Sequence, residues 1–183
     1  VTDDHDAIIN TIKAANAAGG GVVWFPPLTF KCAGGIVPGE ELNDITLKGC
    51  PGSQLYFDYA PSPQPNFYLY GNHITLDSLY IDTAATTRAE MGSCIVFPQG
   101  DHITVQNCYI TNSAGAGIYI QAGTVSPYSV TNFDFSHNVI YNTFADGILI
   151  ADGAAHGTIS DNLIHTTGDD GISISWNALN TNS

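Results

Sequence analysis

Two aspartates stand in front of a glycine in phrases that recur along the chain, and a third lies beside one of them. Ala116-Gly117-Ile118-Tyr119-Ile120, Asp146-Gly147-Ile148-Leu149-Ile150 and Asp170-Gly171-Ile172-Ser173-Ile174 repeat one phrase, with an earlier copy at Ser93-Cys94-Ile95-Val96-Phe97. The column ahead of the small residue reads Ser93, Ala116, Asp146, Asp170, and the column before it reads Gly92, Gly115, Ala145, Asp169. The first two copies show that the repeat does not need an acid. If successive copies stack as neighbouring strands, Asp146 and Asp170 lie about 5 Å apart, with Asp169 at the adjoining bend. Three carboxyl groups so close cannot all ionise freely, so one should keep its proton near neutral pH. A protonated acid beside a carboxylate base is what hydrolysis of a glycosidic bond requires. The alternative reading is structural: acids before Gly-Ile could make Asx-type turns or hold Ca2+.

The elements that must position these acids are themselves repetitive. Asn43-Asp44-Ile45-Thr46-Leu47 recurs at Asn72, Asp101 and Thr131, at spacings of 29, 29 and 30 residues, with a weaker copy 25 residues on at His156. Each copy leads to a second beat, Leu79-Tyr80-Ile81, Cys108-Tyr109-Ile110, Asn138-Val139-Ile140 or Asn162-Leu163-Ile164, and then to the acid-bearing third. Three short strands per 24 to 30 residues predict a right-handed parallel β-helix of about five coils, a solenoid with alternate Ile, Leu, Val and Phe buried inside. Asn107, Asn138 and Asn162 are expected to form hydrogen-bonded ladders at its turns. Ahead of the repeats, residues 3–18 predict a helix, with Thr2 to Asp4 as capping residues, an Ile8, Ile12 and Ala15 stripe, and Gly19-Gly20-Gly21 as terminator. Such a helix would cap the open edge of the first coil. No equivalent follows Trp176, so the expectation is one β-helix domain over 1–183 that forms the N-terminal part of a longer β-helix or is covered by another chain.

Composition narrows the function. With 17 acidic residues against four Lys and Arg, the net charge is −13, which disfavours nucleic acid and anionic membrane as partners and, less firmly, an anionic polysaccharide. No apolar run approaches the roughly 18 residues of a membrane span. The chain opens on Val1 and carries no signal peptide, which reads as a processed or excised sequence. The acidic balance, few lysines and many small polar residues suggest a secreted protein. Cys50 and Cys108 fall in one repeat column with Leu79 between them, about 9.6 Å apart at ~4.8 Å per strand, beyond the ~7 Å limit for a disulfide. Cys32–Cys50 and Cys94–Cys108 pairs stay open, and buried free thiols are the favoured expectation.

The opening from Thr2-Asp3-Asp4-His5 through Gly21-Val22-Val23-Trp24-Phe25-Pro26-Pro27 resembles the N-terminal cap and first strand of the pectate-lyase-like β-helix superfamily. Asn142-Thr143-Phe144-Ala145-Asp146-Gly147-Ile148 with Thr167-Gly168-Asp169-Asp170-Gly171-Ile172 is similar to the catalytic segment of family 87 glycoside hydrolases, the α-1,3-glucanases and mycodextranases. That resemblance implies an inverting hydrolase with Asp169 as general acid, Asp146 and Asp170 as the pair that activates water, and no required cofactor. Family 28 polygalacturonases share the trio, but their Asn-Thr-Asp and Gly-Asp-Asp-Cys are Phe144-Ala145-Asp146 and Gly168-Asp169-Asp170-Gly171 here. Lys13, Lys31, Lys48 and Arg88 all precede the acids. With no cation expected beside them, a neutral glucan is expected over a uronate polymer and β-elimination is disfavoured; the family 87 resemblance implies that the glucan is α-1,3-linked. Trp176 and Tyr119 are candidates for sugar contact, while His137, His156 and His165 are expected at surface turns. A reading from another class is a non-catalytic glycan-binding β-helix of the tailspike or adhesin kind.

Overall fold

The computed structural model describes residues 2–58, 64–89, 92–121, 130–151 and 154–175. Its strands form three parallel sheets. The first stacks Gly21–Trp24, Leu42–Lys48, Gly71–Asp77, Gly100–Gln106, Asp134–Ser136 and Thr158–Ser160, with Val130–Thr131 also on Gly100–Gln106. Thr29–Cys32, Gln54–Phe57, Tyr80–Asp82, Tyr109–Thr111, Val139–Thr143 and Leu163–Thr167 make the second. The third contains Phe67–Tyr68, Ile95–Phe97, Ile118–Ile120, Ile148–Ile150 and Ile172–Ile174, and Ile36 bridges to Phe67 below it. The chain visits the sheets in turn, which is the parallel β-helix expected from the repeat. Among the described residues there are six coils rather than about five, because the coil beginning at Gly21 lacks the recurring phrase.

Register converts the sequence period into columns. Ile45, Ile74 and Ile103 pair in succession and are all fully buried. Phe133 follows them, since Asp134 pairs with Thr104. The corners are set by single residues in left-handed backbone: Asp44, His73, His102, Asn132 and His156 at one, Ser78, Asn107, His137 and Asp161 at the next, and Ala84, Asn112, Asn142 and Thr166 at the third. Asn, Asp and His dominate because they tolerate this conformation better than other non-glycine residues.

Two sequence expectations about columns need correction. Asn138 and Asn162 do form a ladder: Cys108 N–H donates to Asn138 Oδ1 at 2.9 Å, and Asn138 N–H donates to Asn162 Oδ1 at 2.9 Å. Asn107 is not part of it; it occupies the preceding corner column and donates to Asp77 Oδ1 at 3.0 Å. Cys50 likewise leaves the Leu79 column, because Gln54 pairs with Tyr80 and so sets Ser53 opposite Leu79. The turn through Pro51 and Gly52 adds three residues there. All four cysteines are free thiols, with Cys32, Cys94 and Cys108 buried.

The cap is the helix His5–Ala17, shorter at both ends than expected. Ile8 and Ile12 enter the core and Ala15 packs against it. Asp4 stands at the N-cap position but makes no side-chain cap bond. Instead Asp4 Oδ2 accepts Lys31 N–H at 3.0 Å and Asp3 Oδ1 accepts Ala33 N–H at 3.1 Å. These acids therefore cover the donors of the first coil's open edge, as such an edge requires. Among the described residues no helix is long and apolar enough to cross a membrane.

Candidate active site

Hydrogen bonds running along the stack position the acids. Gly117 N–H donates to the Asp146 carbonyl at 3.1 Å and Gly147 N–H to the Asp170 carbonyl at 2.9 Å, so Ala116, Asp146 and Asp170 lie one above another. Ala145 N–H on the Gly115 carbonyl and Asp169 N–H on the Ala145 carbonyl, both 3.2 Å, build the neighbouring column. The turns are held from inside, Thr143 Oγ1 donating to the Ala145 carbonyl at 2.9 Å and Thr167 Oγ1 to the Asp169 carbonyl at 2.8 Å. Gly147 allows the close stacking. A Cβ there would lie 2.3 Å from Ile164 Cγ2 and 2.5 Å from the Gly171 carbonyl oxygen.

The three carboxyl groups converge: one oxygen from each of Asp146, Asp169 and Asp170 lies within 4.8 Å of the others. Asp146 is buried at 8% exposure, whereas Asp169 and Asp170 are exposed. Asp146 Oδ1 accepts Asp170 N–H at 3.2 Å, the contact that Ser93 Oγ makes with Ala116 N–H at 3.1 Å in the same column. The side-chain oxygen at this position therefore serves the stack whether or not it belongs to an acid. Burial raises the pKa of Asp146, and the Asp169 and Asp170 carboxylates add to the rise against the opposing Asp170 N–H bond. A raised acid within the trio was expected, and it is found at Asp146. Three converging carboxylates could also ligate a hard cation such as Ca2+.

Beside the trio opens a cleft of about 230 Å³ whose lining includes Arg88, Ser93, Ala116, Tyr119, Asp146 and Leu149. Tyr119 and Leu149 pair in register on the third sheet and are half-buried, which brings Tyr119 to the same cleft as Asp146. Trp176 lies outside the described residues. His165 is exposed and stacks on Tyr141 at 5.3 Å, while His137 and His156 occupy corner positions.

Arg88 precedes the acids in sequence yet lines the same cleft as Asp146. Between Tyr80–Asp82 of the second sheet and Ile95–Phe97 of the third, Ala89 N–H donates to the Ala114 carbonyl at 2.9 Å, which lays this backbone on the next coil. The 58 positions between Arg88 and Asp146 thus span only two coils. No local sequence signal marks Arg88, because its placement depends on how this connection folds.

A family model described as right handed β-helix region matches residues 41–182. Among solved structures, the Agl-KA catalytic domain is similar with a TM-score of 0.74 and 19% identity, covering 98% of this chain and 32% of that one. The A-module of the Azotobacter vinelandii mannuronan C-5 epimerase AlgE4 gives 0.63 and 16%, over 94% of this chain and 56% of that one. ORF18 of Geobacillus virus E2 gives 0.67 and 17%, over 94% and 38%. The chain therefore spans from about a third to just over half of the length of these structures. At such identities the likeness is one of fold. No curated protein matches the chain. With the matched region covering most of its length and its three sheets parallel throughout, the chain belongs to the right-handed β-helix family.

Proposed function

We propose that the protein is a secreted polysaccharide hydrolase in which Asp146, Asp169 and Asp170 cleave a glycosidic bond with inversion. The observation that carries this reading is the convergence of one buried, pKa-raised carboxyl with two exposed ones beside an open cleft. An acid must protonate the leaving oxygen while a carboxylate activates water on the opposite face of the sugar. The family 87 resemblance assigns the donor to Asp169, with Asp146 and Asp170 on the water. Burial, with the neighbouring Asp169 and Asp170 carboxylates, raises the pKa of Asp146 and disfavours its charged form. Tyr119 would contact the bound sugar, and the chemistry needs no metal.

The resemblance implies α-1,3-glucan as substrate. Among the described residues no Lys or Arg pairs with the trio, which supports a neutral chain, although Arg88 lines the same cleft. A non-catalytic, glycan-binding β-helix is the second reading, favoured by the stack-supporting bond that Asp146 shares with Ser93.

The test is hydrolysis of α-1,3-glucan, mixed α-glucans and polygalacturonate by the wild type and by Asp146→Asn, Asp169→Asn and Asp170→Asn, following the anomer released. An acid or base contributes typically about 10²–10⁴-fold, so the catalytic substitutions should reduce turnover by that order, and EDTA should not. A glycosyl fluoride, whose leaving group needs no proton, should rescue only the variant that lacks the donor. Undiminished activity in all three variants would dismiss the site, and an unsaturated product would replace hydrolysis by elimination.

A further inference from the structure

One corner of the first sheet carries two imidazoles that the fold does not call for. Its column reads Asp44, His73, His102, Asn132 and His156, all in left-handed backbone. Asp44 and Asn132 meet that conformation in the flanking coils, so it does not require histidine at 73 and 102. Asn72 pairs with Asp101 and Ile74 with Ile103, which sets His73 beside His102 on adjacent coils. Their ring centroids lie 4.9 Å apart with the planes at 44°, and both side chains are exposed.

Each ring has a carboxylate at Nδ1. His73 Nδ1 lies 3.2 Å from Asp44 Oδ1, and His102 Nδ1 lies 2.7 Å from Asp101 Oδ2. Asp101 is itself fixed, its Oδ1 accepting the Thr131 hydroxyl and the Asn132 side-chain amide. A carboxylate only accepts, so in the neutral imidazole Nδ1 carries the proton and Nε2 keeps the lone pair. Among the described residues neither Nε2 has a hydrogen-bond or ion-pair partner. A carboxylate on one ring nitrogen and a free lone pair on the other is how metal-binding histidines are oriented. A zinc–imidazole bond is ~2.0–2.1 Å, so one ion bridges nitrogens up to about 4 Å apart, a gap that rings this close meet with a small tilt. Imidazole suits zinc, nickel and copper, whereas calcium and magnesium take oxygen ligands. The net charge of −13 adds a general attraction for cations.

We propose that His73 and His102, oriented by Asp44 and Asp101, form a site for a divalent transition-metal ion of the zinc and nickel class that ties two coils together. The site belongs to the first sheet, whereas the acid trio leads into the third, so it stands or falls apart from the hydrolase reading. The test is calorimetric titration of the chain with zinc chloride, alongside thermal unfolding with and without zinc. It compares wild type with His73→Asn, His102→Asn, the double variant and His137→Asn. Asparagine is chosen because Asn132 holds the next position of the same column in left-handed backbone, so the fold should survive. When two ligands sit on one scaffold the second binds intramolecularly, so each single substitution should weaken zinc binding by about tenfold or more. The paired site exists only in the folded chain, so zinc should raise the thermal midpoint of wild type but not of the double variant. His137 occupies a different corner, and His137→Asn should behave as wild type. Magnesium should neither bind there nor shift the midpoint. No zinc binding by wild type, or affinity and a midpoint shift that survive in the double variant, would overturn the proposal. An equal loss in His137→Asn would overturn it too, since zinc would then be held by scattered surface histidines.

Discussion

Asp146 carries two duties that oppose each other. Its Oδ1 helps hold the next coil, yet burial and two neighbouring carboxylates disfavour its charge. A raised folded-state pKa means that the native protein holds the proton more tightly than the unfolded chain does. The associated stability is fully present below the ordinary value near 3.8 and is lost as pH rises through the raised pKa. Asp146→Asn keeps an acceptor at Oδ1 and removes the charge. It should therefore raise the thermal midpoint at pH 7 relative to wild type, with the gain vanishing below about pH 4. An unchanged or lower midpoint at pH 7 would show that the carboxylate is not held at a cost.

The capping helix and the asparagine ladder are elements whose removal should be felt globally. Ile12 is fully buried between the helix and the first coils, and Ile12→Ala should cost ~2–5 kcal/mol in denaturant unfolding. Asn138 Oδ1 accepts Cys108 N–H, while its Nδ2 donates to the Val105 carbonyl and to Asn162 Oδ1. Asn138→Ala would leave buried backbone groups unpaired, at about 1–3 kcal/mol. The thiols offer a milder check. Burial pushes Cys32 and Cys108 up to about 12 and Cys94 well above its ordinary value. An alkylating reagent at neutral pH should therefore modify half-buried Cys50 first and the other three only on unfolding.

At the scale of the whole molecule, an acidic protein with few cations spends several carboxylates on its own backbone and turns. Hydrogen bonds from Thr131, Asn132 and His102 hold Asp101 down at about 2. Asp3 is lowered by the Ala33 and His5 backbone, and Asp77 is lowered by Asn107, Lys48 and Ser78 despite a desolvation that alone would raise it. These groups stabilise the fold above their ordinary pKa and lose that contribution as pH falls through the depressed values. The thermal midpoint should therefore decline from about pH 4 towards pH 2, opposite in sign to the effect of Asp146. A midpoint that stays flat across this window would show that these bonds do not bear on folding.

The recurrence from Asn43 onward, the three beats per coil, the helix stripe of Ile8 and Ile12, and the column holding Asp146 and Asp170 were all legible in the residues. In a solenoid each coil contacts chiefly its neighbours, so a period along the chain becomes a column in space. Asp169 followed, being adjacent to Asp170. The remaining features depend on quantities that a period does not contain. The turn through Pro51 and Gly52 moved Cys50 out of its column because only the strand pairing records its three added residues. A single corner in left-handed backbone separated Asn107 from the ladder of Asn138. That the pKa of Asp146 is raised depends on burial, which differs within the trio because Asp146 lies beneath the last described coil. The backbone at Ala89 lies on the next coil through Ala114, so tertiary structure alone decided that a cation 58 residues away would share the cleft of Asp146.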